Sequence, residues 1–145
     1  MEPASYDNKT GGTDMTTGNW NGNVVVCVKG RPDGAMEWLE YNPDFNMVHY
    51  WNGHGYHEWH DYNANGKRIH VRNSKGGETW YEFDDQGRLA HRKDSAASER
   101  WYAYHADGSE HIHIKHPSGT EMWFDRDANG NLARYRNSDG MDVSY

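Results

Sequence analysis

"ETWYEFDDQGRLAHRKD", residues 78–94, decides how this chain is read. Its first six residues are rich in strand formers. "DDQG" then supplies Asp and Gly for a tight reversal, with the glycine free to take positive φ. "RLAHRK" returns. The stretch therefore predicts a β-hairpin. Within its first arm, Trp80 shares a face with Glu78 and Glu82, while Tyr81 and Phe83 point the other way.

The hairpin is one of a series. Trp38, Trp59, Trp80, Trp101 and Trp123 stand 21, 21, 21 and 22 residues apart. Gly66, Gly87, Gly108 and Gly130 follow the last four at a constant offset, and Phe45 takes that place in the first copy. An acid sits one or two residues before each tryptophan: Glu37, Glu58, Glu78, Glu99 and Glu121. Small polar turns, "NSKGG", "DSAAS", "HPSGT" and "NSDGM", close the units.

Such periodicity marks a repeat architecture. The expected fold is all-β: tandem 21-residue β-hairpin repeats forming a long, curved antiparallel meander sheet or rod. A half copy spans 21–34, full copies about 36–56, 57–77, 78–98, 99–120 and 121–141, and a terminal strand 142–145. The repeat domain is 20–145, and residues 1–19, which lack the pattern, read as a mobile tail. The copy at 99–120 carries one extra residue, and a bulge near His111 to Lys115 is expected to absorb it.

Ladders of equivalent residues follow from this register. One face carries the tryptophans flanked by acids. The other carries Tyr41, Tyr62, Phe83 and Tyr104, with Met47, Leu89 and Leu132 at equivalent places in the return strands. One aromatic column is expected to be wrapped inward and the other partly exposed. Trp20 and Trp51 read as lying off the main tryptophan column, and Cys27, in "NVVVCV", as a buried core residue.

"WYEFDDQGRLAHRKDS", "WFDRDANGNLARYRNSDG" and "WHDYNANGKRIHVRNSKGG" resemble the YD-repeat units of RHS-type proteins. The resemblance covers residues 21–145 and implies hairpin repeats. In the large RHS proteins such units build a shell around a toxin, and five copies are too few for one. The resemblance therefore implies a small, stand-alone relative, set in a phage or bacterial genome as an inhibitor, immunity or anti-defence protein. The regular Trp and His depart from the usual unit. The hairpins are also loosely similar to those of choline-binding cell-wall modules, which normally accompany a secretion signal.

Composition narrows the function. Only 34% of the 145 residues are hydrophobic, and mean hydropathy is −1.17, yet 14% are aromatic, including 7 Trp and 10 Tyr. Rings, not aliphatic side chains, must supply the burial, and the core is expected to be thin. The formal charge of −7 argues against nucleic acid or an anionic membrane and favours a basic protein surface. Ten histidines would carry the total to +3 if all were protonated, so charge-dependent binding should weaken in mild acid. No apolar signal-like segment opens the chain and no stretch is long enough to span a membrane, so a cytoplasmic location is expected.

His49, His70 and His91 recur at one position in three copies, with His111 and His113 near it in the fourth. At two strands per copy these imidazoles stand roughly 9–10 Å apart, too far to share one metal ion. "HGYHEWH", 54–60, puts His54 in a turn and His57 and His60 on opposite faces. The histidines read as a polar ladder pairing with the acids. No cofactor, metal or catalytic set is expected, since repeated carboxylates such as Asp84 with Asp85 single out no pair. The expected binding residues are Trp38, Trp59, Trp80, Trp101, Trp123, Glu58, Glu78, Glu82, Glu99 and Glu121. Their expected partner is a protein rich in Arg or Lys. A carbohydrate or cell-wall module using the Trp/Tyr ladders is the second reading, and a metal-dependent enzyme the third. The two end strands are open edges at which a second copy could pair.

Overall fold

The computed structural model describes residues 14–29 and 35–145. They form thirteen strands. The first six are β1 (Asp14–Trp20), β2 (Asn23–Lys29), β3 (Met36–Tyr41), β4 (Met47–Asn52), β5 (His57–Tyr62) and β6 (Arg68–Asn73). The rest are β7 (Glu78–Phe83), β8 (Leu89–Asp94), β9 (Glu99–Tyr104), β10 (Glu110–Lys115), β11 (Glu121–Arg126), β12 (Leu132–Asn137) and β13 (Asp142–Ser144). The chain is all-β, with the strands in sequence order and every recorded pair antiparallel. It divides into two units, one ending at Gly76 and one running Gly77–Tyr145.

Short local signals make the hairpins. Asn63 N donates to Lys67 O (2.9 Å) and Gly66 N to Asn63 O (3.0 Å). The Asn63 side-chain oxygen accepts from Asn65 N and Lys67 N, at 3.0 Å each. This five-residue loop, an Asn or Asp side chain satisfying the turn's own amides, recurs at Asn42, Asn52, Asp84, Asp94, Asp127 and Asn137. The fourth copy departs from it. His105 and His116 open its two turns, and Asp107 and Ser118 cap Ser109 N and Thr120 N instead. The fourth loop residue takes positive φ throughout, so Phe45 (φ 59°) and Ala97 (φ 64°) are held where glycine is at ease.

The register corrects one expectation. Four hairpins have a bulge, between Glu40/Tyr41, Asp61/Tyr62, Glu82/Phe83 and Asp125/Arg126. The β9–β10 hairpin, where a bulge was expected near His111 to Lys115, pairs without a shift from Glu110↔Tyr104 to Lys115↔Glu99. Trp80 lies opposite Lys93, whereas Trp101 lies opposite His113. The extra residue moves the return strand by one position, and loss of the bulge moves it by another. The sum is two, the side-chain period of a strand, so each side chain keeps its face.

Packing corrects others. Among the described residues no hydrophobic side chain is fully buried, and His60, at 3% exposure, is the one buried residue. Neither aromatic column is enclosed: Trp101, Trp123, Tyr62 and Tyr104 are all half-buried. Cys27 is half-buried too, not a core residue. Residues 14–20, placed by the sequence pattern almost wholly in a tail, form β1, paired with β2 from Asp14↔Lys29 to Trp20↔Asn23. Residues 1–13 and 30–34 lie outside the described residues.

Candidate functional site

Directly opposed residues in antiparallel strands share a face, and the register builds one column of rings in each unit. In the first, Trp38 stacks on Trp51 (5.9 Å between centroids, 4° between planes) and Trp51 on His49 (4.5 Å). His49 stacks on Trp59 (5.2 Å) and on His57 (5.3 Å), which lies 5.5 Å from Trp59. The Arg72 guanidinium closes that end, 5.2 Å from the Trp59 ring. In the second unit His91, Trp101, His113 and Trp123 stack at 5.2, 4.7 and 4.9 Å, and Arg136 closes the end 5.6 Å from Trp123.

Histidine is therefore a rung of the column, not only a polar neighbour of it. Three of the rungs, His49, His91 and His113, also meet an acid, as do His70 and His111 beside the columns. His49 Nδ1 lies 3.5 Å from Glu40, His70 Nδ1 3.0 Å from Asp61, His91 Nδ1 3.5 Å from Glu82 and His113 Nε2 2.7 Å from Glu121, and His111 pairs with Asp125. The expected polar ladder is present. Its stacking role was readable from Trp101 standing ten residues after His91, across one turn, on the same face.

The expected binding residues divide. Trp38, Trp59, Trp101 and Trp123 sit in the columns, and Trp80 is 38% exposed. Glu82 is largely exposed, Glu99 meets Lys93 Nζ at 3.3 Å and Glu121 meets His113. Glu78 lies on β7 two residues from Trp80, on the tryptophan side by alternation. Glu58 is misplaced by the sequence reading. It precedes Trp59 directly, so it points to the opposite face, where Tyr56 Oη donates to it (2.7 Å). There His60 Nε2 lies 3.0 Å away, off the line of a good hydrogen bond. That carboxylate pushes the Tyr56 pKa up to about 12. Trp51, expected off the column, is a rung of it.

The opposite face holds Tyr62 and Tyr104, whose hydroxyls donate to the carbonyls of Met47 (2.8 Å) and Leu89 (2.9 Å), the first residues of return strands. Burial raises both tyrosine pKa values. These hydroxyls are committed to structure.

A groove of about 580 Å³ opens beside Trp38. It is lined by Val25 and Cys27 of β2, by Trp38, Glu40, His49 and Trp51 on one side, and by Thr17, Gly18, Asn19 and Trp20 of β1 on the other. Trp20 is 59% exposed. Glu40 is held by Asn23 Nδ2 at 2.7 Å. The sequence reading missed this groove because β1 carries no repeat signal. Among the described residues no group of three or more His, Cys, Asp or Glu is placed to hold a metal. No protein-family model matches the chain, and no curated protein matches it.

Proposed function

We propose that this chain is a non-enzymatic binding module that engages a basic protein surface through its Trp/His face. One observation carries the reading. The half-exposed ring columns are bordered by carboxylates, and two of the most exposed, Asp61 and Glu82, meet histidines rather than Arg or Lys. Asp61 and Glu82 have side-chain exposures of 60% and 74%. Aromatic edges supply contact area at small entropic cost, and exposed carboxylates supply attraction for Arg and Lys. Protonated histidines would satisfy those same carboxylates internally and weaken the attraction.

The carbohydrate reading fits less well. Sugar rings stack on open aromatic faces, and in these columns the ring faces cover one another except on one side of Trp38. The resemblance to YD repeats supports a phage or bacterial setting, in the cytoplasm, as an inhibitor, immunity or anti-defence protein, and that setting belongs to the same proposal.

The test is retention of proteins from bacterial lysate on the immobilised chain at pH 7.5, against high salt, pH 5.5 and the E40Q/D61N/E82Q variant. A basic protein held by the wild type at neutral pH, lost in salt and acid, and lost by the variant supports the reading. Retention that ignores the three substitutions, or no retention at all, ends it.

A further inference from the structure

The two columns end alike at one side. Arg72 lies over Trp59 and Arg136 over Trp123, so a guanidinium serves as the terminal rung in both units. The first unit's column also has an end at Trp38. One side of that ring meets Trp51. Its other side looks toward β2, where the directly opposed residue is Cys27. A thiol is too small to be a rung, and among the described residues no ring or cation covers that side of Trp38. The vacant position is the groove.

The groove's chemistry selects what would fill the rung. A group continuing the stack must be flat. Glu40 lines the groove with a carboxylate, which favours positive charge. Trp20 supplies an exposed ring on the far wall. Flat and cationic together describe a guanidinium, which stacks on aromatic faces and pairs with carboxylates, whereas an ammonium has charge without a plane. We infer that this groove receives an arginine side chain of the partner protein, stacked on Trp38 as Arg72 is on Trp59 and paired with Glu40. The inference rests on the protein-binding reading and specifies its contact.

The test uses the full chain and three peptides, acetyl-Gly-Arg-Gly-amide and its lysine and citrulline counterparts. The readout is the set of indole N–H resonances of the ¹⁵N-labelled protein. The arginine peptide should move those of Trp20, Trp38 and Trp51 and leave Trp101 and Trp123 in place. Lysine should bind several-fold more weakly, and citrulline, flat but uncharged, should not bind. Cys27→Phe places a ring on the vacant rung and should abolish the effect. Glu40→Gln, which leaves the packing intact, should weaken binding about three- to tenfold. Equal response to all three peptides, shifts confined to other tryptophans, or full binding by Cys27→Phe would overturn the inference. A basic lysate protein retained equally by wild type and Cys27→Phe also overturns it, while leaving the protein-binding reading intact. Arginine-peptide binding that Cys27→Phe abolishes, with no lysate protein retained, upholds the groove's choice of guanidinium and removes the reading on which it was set.

Discussion

His49 Nε2 lies 3.0 Å from His57 Nδ1, with the two imidazoles stacked among Trp51 and Trp59. A hydrogen bond between two ring nitrogens needs one of them bare, so the pair holds only while at least one ring is neutral. The first column is thus built around unprotonated histidine.

Acid should therefore loosen the first unit in a defined window. Burial lowers the His49 pKa, against the opposing pull of Glu40, and burial lowers that of His60 against Glu58. Both folded values lie below the unfolded value of about 6.5. The unfolded chain then binds more protons, so their contribution to stability is present above about pH 6.5 and is lost as pH falls through the folded values. Asp84, Asp107, Asp127 and Asp142 have lowered pKa values from turn and Arg134 contacts, and their loss comes in a separate window below about pH 4. The urea midpoint should be flat from pH 8 to 7 and fall toward 5. His49→Gln with His60→Gln should reduce that slope, and an undiminished slope would place the titration elsewhere.

Turn chemistry offers a gain. Phe45 is 81% exposed and Ala97 sits in a tight loop, and both take positive φ. Phe45→Gly and Ala97→Gly should each raise stability by about 0.5–1 kcal/mol, the αL penalty less glycine's added chain entropy. Gly66→Ala should lower it by about 1 kcal/mol, through backbone strain alone, since a Cβ there meets no atom within 4 Å. Asn63→Ala should cost about 1 kcal/mol, and His105→Asn, supplying the acceptor that the other loops have, should recover a similar amount. Thermal melts of the single variants decide each sign.

The fourth copy provides a register test. Deleting Glu110 gives its return arm the length found in its neighbours. The bulge should reappear, and Trp101 should move from opposite His113 to opposite Lys115. Cross-strand Hα–Hα NOEs would show it. Pairing that stays at Trp101↔His113 would mean that the ring stack, not arm length, holds the register.

Tryptophans should separate by position. Trp101 is stacked between His91 and His113, whereas Trp20 is mostly exposed. Trp101→Leu should cost about 2–3 kcal/mol in chemical unfolding, from lost stacking and lost burial. Trp20→Leu should cost under about 0.5 kcal/mol. Comparable losses would mean that the columns carry no special share of the stability.

The amino-acid sequence by itself determined where the strands and turns of the repeats fall and which face each side chain of a repeat strand takes. These are local properties. A reversal needs Asn, Asp or Gly within a few residues, as at Asn63 and Gly66, and facing alternates along one strand, as between Trp80 and Tyr81. Even the position of Glu58 was legible, since it is adjacent to Trp59 and must face away from it. What only the tertiary structure decided depends on two strands at once. Which residue lies opposite Trp101 is the sum of an inserted residue and a missing bulge, and neither is visible from one strand alone. That histidine fills the gap between tryptophans, and that a groove opens where Cys27 faces Trp38, are likewise facts of register. The groove further required β1, a strand whose residues repeat nothing and whose place comes only from pairing with β2.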